Sequence, residues 1–245
     1  MMSLREEERL LNAISKPLQL TESEHDEHAA EIRRLLDVQT IGSQFGRVWW
    51  NECWPHSALH EACGRNVRSH VGAQLLLSDE RCDVNQLDNI GCAALAICVT
   101  LVESEDDKYA RIIKLLLAHP QININIRNCS SRCTPLHVAC STYAASHIGA
   151  QLLLSDERCD VNLADQFNDI TPLIEAVQLV ERADDKHAAI IRMLLNNQSL
   201  DINAKTRDSD TALHVAVDRI IQLIHLCDSG RIREQIQTRR QLTLS

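Results

Sequence analysis

The stretch His147-Ile-Gly-Ala-Gln-Leu-Leu-Leu-Ser-Asp-Glu-Arg-Cys-Asp-Val-Asn162 occurs twice in this chain; its other copy runs from His70 to Asn85. One of the 16 positions differs, Val71 against Ile148, and the offset is 77 residues throughout. Self-similarity at a fixed spacing marks an array in which each unit buries its apolar face against the next. The near-identity reports a recent duplication and says nothing by itself about function.

Outward from this stretch the chain is punctuated by a Leu with apolar residues three and four places later, the spacing that sets them on one helix face. These anchors are Leu59/Ala62/Cys63, Leu95/Cys98/Val99, Leu136/Ala139/Cys140, Leu173/Ala176/Val177 and Leu213/Ala216/Val217, all expected to point into the core. They lie 36, 41, 37 and 40 residues apart, so the unit is one repeat of alternating length. Thr134-Pro135 and Thr171-Pro172 place an N-cap hydroxyl before a proline at the first helical position, where no amide hydrogen is missed. Ser57 and Thr211 supply the cap without the proline, whereas Ala93 leaves the second repeat without a capping side chain. A second, Leu-rich helix follows in each of the first four repeats, then an Asp/Ile-x-Asn element and a polar turn. In the fifth repeat Asp218 to Cys227 lacks the usual turn between helices.

The motifs Thr134-Pro-Leu-His-Val-Ala139, Thr171-Pro-Leu-Ile-Glu-Ala176 and Thr211-Ala-Leu-His-Val-Ala216, with Asp83-Val-Asn85, Asp160-Val-Asn162 and Asp201-Ile-Asn203, resemble the ankyrin repeat. The resemblance covers residues 57–217 and, more loosely, 4–56. It implies an all-α, ankyrin-like helical repeat solenoid with short β-hairpin or turn fingers and alternating long and short repeats. It also implies that His60, His137 and His214 tie neighbouring repeats by hydrogen bonds. The chain departs from the family where the second and fourth repeats carry extra acidic residues, Glu103–Lys108 and Glu181–Lys186, expected to be solvated. On this reading residues 1–50 are N-terminal capping helices and a connector, 51–227 five repeats, and 228–245 a C-terminal helix or tail.

Composition bounds the function. A hydrophobic fraction of 44% in 245 residues suits a folded array, and 3% aromatics suit an aliphatic helical core. A formal charge of −9 argues against nucleic-acid binding, which needs phosphate-neutralising cations. The N-terminus lacks a secretory pattern and the longest apolar run is too short for a bilayer, so a cytoplasmic chain is expected, with a nuclear one not excluded. Its ten cysteines are then free thiols acting as small hydrophobes.

The side chains carry few chemical motifs. Cys129, Cys133 and His137 are spaced four apart, but a fourth zinc ligand with matching spacing is lacking. Cys63 and Cys140 fall on the inward helix face, where a thiol is inert. With seven glycines and no phosphate-loop or nucleophile-elbow motif, the expectation is no catalysis, no cofactor and no metal. The acidic runs read as solvated loops rather than as a ridge for a basic partner. The three tryptophans 49, 50 and 54 crowd the first finger; they either plug the joint between cap and first repeat or stand out as a recognition anchor.

The resulting expectation is a monomeric, non-catalytic scaffold or adaptor that binds a protein on its concave or finger surface. The candidate contacts are Trp50, Trp54, Arg127, Arg132, Phe167 and Arg207, large or bidentate groups on short loops of the kind that dominate interfaces. An inhibitor or effector that occupies a partner enzyme's site is the first alternative, and a cysteine-dependent enzyme the second.

Overall fold

The computed structural model describes residues 13–23, 26–37, 58–88, 90–128, 132–144, 146–180 and 186–228 (backbone alone at 35–37 and 221–228). The tryptophan cluster, Ser57, Cys129 and the second acidic insertion up to Asp185 lie outside these residues.

Helices come in pairs. After α1 (13–20) and α2 (Glu27–Asp37) follow α3 (Ala58–Ala62) with α4 (Val71–Leu77), and α5 (Ala94–Leu101) with α6 (Lys108–Ala118). Next are α7 (Pro135–Cys140) with α8 (Ile148–Leu154), α9 (Pro172–Leu179) with α10 (Lys186–Leu195), and the unbroken α11 (Ala212–Asp228). First helices pack on first helices and second on second, giving two layers: α3, α5, α7, α9 and α11 in one, and α2, α4, α6, α8 and α10 in the other. The core between them is the aliphatic one expected, with Leu59, Leu95, Leu136 and Leu173 all buried.

Local chemistry sets the helix starts. Thr134 and Thr171 adopt extended backbone and accept from the amides of His137 and Ile174, as their N-cap position requires. Ala93 holds the same conformation at the start of α5 and has nothing to offer its first turn. The two copies of the duplicated stretch start their helices differently from the threonine repeats, and alike. Ser69 Oγ accepts from Val71 N at 3.2 Å and donates to Thr21 O, and Ser146 Oγ accepts from Ile148 N at 3.2 Å and donates to Val102 O. One hydroxyl therefore caps a helix and binds the preceding unit at once.

The stacking is close at Gly149. A Cβ there would sit 2.9 Å from Val99 Cγ1 and 3.0 Å from Val99 O, so a side chain would force α8 off the preceding repeat. The insertion of the second repeat is partly structural. Asp107 caps α6 by accepting from Ala110 N, while Glu103, Glu105 and Asp106 face water. Lys108 Nζ donates to Val67 O and its counterpart Lys186 Nζ to Ala144 O, so each long repeat grips the loop of the short repeat before it.

One of the two expected finger forms is found, and one expected core anchor is corrected. Among the described residues the fingers contain no strand, only an isolated antiparallel bridge between Leu87 and Ala93. These fingers are turns, one of the two forms expected of them. And Leu213 with Val217 does not anchor a core: the two are 72% and 46% exposed, because no described residue lies over the outward face of α11.

Candidate partner-binding face

Each of the four described fingers begins with the same device. In the Asx-x-Asn elements the first side chain accepts the amide two residues on: Asp83 from Asn85, Asn123 from Asn125, Asp160 from Asn162 and Asp201 from Asn203. This is the Asx turn that makes these residue types good turn formers. The Asn that follows reaches across to the next repeat. Asn85 donates to Gln121 O at 2.7 Å and accepts from Asn123 N at 2.7 Å. Asn125 does the same with Arg158 O and Asp160 N, and Asn162 with Ser199 O and Asp201 N. The result is a ladder of asparagines along the finger bases.

These four fingers close alike. The amides of Asp88, Asn128, Asp165 and Thr206 donate to the carbonyls of Cys92, Cys133, Ile170 and Asp210. The same four residues accept the returning amide with a side-chain oxygen, as Asp88 does from Cys92 at 2.8 Å and Asp165 from Ile170 at 2.8 Å. One residue before each closing carbonyl the backbone turns left-handed: Gly91 (φ 79°), Arg132 (φ 56°), Asp169 (φ 55°) and Ser209 (φ 71°). Glycine meets this demand without strain, whereas a side chain there costs about 1–2 kcal/mol.

The histidines lock finger to helix. His137 Nδ1 accepts from Thr134 N at 3.2 Å and lies 2.8 Å from Thr134 Oγ1, and its Nε2–H donates to Ile170 O at 3.0 Å. His60 Nε2 meets Cys92 O at 3.0 Å. Both ring nitrogens of His137 are thus engaged, leaving no lone pair for a metal. His214 keeps the contact with Thr211 but, contrary to expectation, ties no following repeat among the described residues.

The proposed contact residues separate into two kinds. Arg127 Nη1 donates to Arg132 O within its finger and to Ala164 O of the next, which makes it a strut. Arg207 is also a strut: its amide donates to Asn168 O at 2.8 Å, its Nη2 to Gln166 O at 3.4 Å, and its Nε lies 3.9 Å from the Asp169 carboxylate. These contacts flank Phe167 on both sides, and the residue remains 51% exposed. Arg132 is exposed on the left-handed turn. Trp50 and Trp54 fall outside the described residues. Sequence reasoning missed Ile90, which sits 77 positions before Phe167 and is 63% exposed. The duplication offset itself was the signal that could have found it.

Four of the described thiols are poor nucleophiles. Cys63, Cys82, Cys98, Cys140 and Cys159 are free thiols. Burial pushes the Cys82 and Cys159 thiols up to about 12 and also raises those of Cys98 and Cys140, the opposite of what attack requires. Among the described residues no three His, Cys, Asp or Glu side chains are placed to hold a metal, and no helix is long and apolar enough to cross a membrane.

Comparison with known proteins places the architecture. Residues 131–166 match the family model Ankyrin repeat. EF0377, an ankyrin repeat protein of known crystal structure, superposes with a TM-score of 0.63 at 22% identity, over 86% of this chain and 90% of that one. A chain from the complex of Bd0816, a predatory endopeptidase of Bdellovibrio bacteriovorus, with the immunity protein Bd3460 superposes with a TM-score of 0.57 at 18% identity, over 86% of this chain and 93% of that one. No curated protein matches the sequence.

Proposed function

We propose that this chain, an ankyrin-repeat protein by its fold and its third repeat, is a non-catalytic scaffold or adaptor that holds a protein partner along its finger tips. The observation that carries this reading is Phe167, a half-exposed aromatic on a turn pinned by Arg207. A large apolar group on a pre-ordered loop pays little entropy on binding, which is what an anchor needs. Ile90, 77 positions earlier and 63% exposed, stands at the matching place two fingers away, and Arg132 stands on the finger between them. The partner that fits offers apolar pockets for Phe167 and Ile90 and a carboxylate for Arg132. Trp50 and Trp54, two of the three tryptophans of the first finger, extend the same row in sequence.

A partner isolated on the full chain provides the test. Phe167→Ala and Ile90→Ala are expected each to weaken its binding by about 2 kcal/mol, while Arg111→Ala on the outer helix α6 changes little. Equal affinity of all three variants would remove this face from consideration. The similarity to a chain from an endopeptidase–immunity protein complex favours a second reading, an inhibitor that occupies an enzyme's site. A captured partner that is an enzyme and loses activity in the complex selects that reading over a passive adaptor.

A further inference from the structure

Two places after each anchoring leucine stand Glu61, Ile97, Val138, Glu175 and Val215. All five are half-buried, and their helices α3, α5, α7, α9 and α11 lie side by side, so these side chains form a row across the array. Two of them are carboxylates, and their surroundings differ. Glu61 Oε2 accepts from Ser15 Oγ at 3.2 Å and from Gln19 Nε2 at 3.4 Å, both on α1. Leu18 lies against Gly72 as Val99 lies against Gly149, so α1 stands to the first repeat as α5 stands to the third. In that register the counterparts of Ser15 and Gln19 next to Glu175 are His137 and Ser141. Both are already engaged, His137 with Thr134 and the Ile170 carbonyl, and Ser141 Oγ with Val138 O and Tyr143 N. The Glu175 side chain has no hydrogen-bond or ion-pair partner among the described residues. Burial pushes its carboxyl up, and Asp165 of the fourth finger acts in the same direction. The site thus lacks the donors and the cation that hold a carboxylate ionised.

We propose that Glu175 is a specificity-determining contact that takes a lysine or arginine side chain of the protein partner, with apolar partner residues on Val138 and Val215 to either side. The proposal rests on the partner-binding reading above and adds the chemistry of what is bound. A half-buried carboxylate without a partner is completed by a charged donor, which supplies the missing hydrogen bonds and the missing counter-charge together. Asp165 adds negative charge at the same place, and the −9 of the whole chain draws basic segments towards it. Val138 and Val215, the neighbours of Glu175 in the row, shield such a pair from water and offer it no competing hydrogen bond. Packed helices lie about 8–10 Å apart and an extended segment rises about 3.3 Å per residue. A segment crossing the row therefore places its basic residue about three positions from each apolar one.

Selection of a random linear dodecapeptide library on the immobilised full chain tests the proposal, run on the parent, on Glu175→Gln and on Phe167→Ala. The parent is expected to enrich Lys or Arg about fivefold at one position of the consensus, the effect of a partly desolvated ion pair. Glu175→Gln is expected to return that position to the input level while its apolar flanks persist. A consensus without a basic residue, the same basic residue selected on Glu175→Gln, or no enrichment at all overturns the proposal. Phe167→Ala separates it from the finger-tip reading. A basic residue that needs Glu175 and not Phe167 supports the proposal and counts against that reading, and one that needs Phe167 and not Glu175 does the reverse. The unfolding midpoint of Glu175→Gln at pH 7.5 is expected to equal or exceed that of the parent, because an unpartnered carboxylate holds nothing in place. A lower midpoint would reveal a partner for Glu175 inside the fold and overturn the proposal as well.

Discussion

The imidazole Nε2 of His137 and the carbonyl oxygen of Ile170 meet at 3.0 Å across a repeat boundary, 33 residues apart in sequence. This bond joins the start of helix α7 to the base of the next finger. Burial is the main reason that His137 titrates below its ordinary 6.5, with Arg127 acting in the same direction and the Ile170 carbonyl and Asp165 against it. The unfolded chain therefore takes up a proton near pH 6.5 and the folded chain at lower pH. Between the two, the unfolded state binds more protons, so the contribution of His137 is full above pH 6.5 and declines as pH falls. His137→Gln is expected to lower stability by about 1–3 kcal/mol at pH 7.5, with the deficit shrinking towards pH 5. Denaturant melts at both pH values check this, and a deficit that grows on acidification contradicts it.

The asparagine ladder separates interior from terminal repeats. Asn125 makes two bonds to the following repeat, whereas the exposed side chain of Asn203 makes none among the described residues. Asn125→Ala is expected to cost about 1–2 kcal/mol and Asn203→Ala within about 0.5 kcal/mol of nothing. Equal losses in urea melts would mean that the ladder adds nothing beyond the local turn.

The second repeat can be improved. Ala93 has φ −86° and ψ 153°, close to the −84° and 166° of the capping Thr134, and both positions are buried. Ala93→Thr supplies the missing acceptor and is expected to raise stability by about 0.5–2 kcal/mol. A lowered unfolding midpoint would show that the hydroxyl finds no room there.

Stability and binding should part at Arg132. Its φ of 56° stores strain that Gly91 avoids at the same place in the second finger. Arg132→Gly is expected to stabilise the fold by about 1 kcal/mol while weakening partner binding. A variant less stable than the parent would remove strain from the account.

Much of this fold could be read in advance because ankyrin-like signals are local. Thr134-Pro135, the Leu136/Ala139/Cys140 spacing and the missing cap at Ala93 each depend on a few neighbouring residues, and the structure has them as expected. The asparagine ladder was not legible, since Asp83-Val84-Asn85 reads as a turn whichever carbonyl Asn85 finds 36 residues on. Leu213 was misread for the same reason. Its local pattern equals that of Leu136, and burial depends on what lies over it rather than on spacing. At the candidate face Arg127 and Arg207 looked like free contacts by residue type, but both are occupied as struts between fingers. Phe167 kept the exposure expected of it, because the carbonyls on either side of it bind Arg207 while its ring meets no core.

The direct measurement is site-specific photo-crosslinking in the cells that make this protein. A benzophenone amino acid replaces Phe167 in one version of the full chain and Arg111, on the outer layer, in another. The account predicts a discrete crosslinked protein from position 167, absent or much weaker from position 111, and diminished when Ile90→Ala is added. A partner captured equally from both positions, or from 111 alone, would contradict binding along the finger tips.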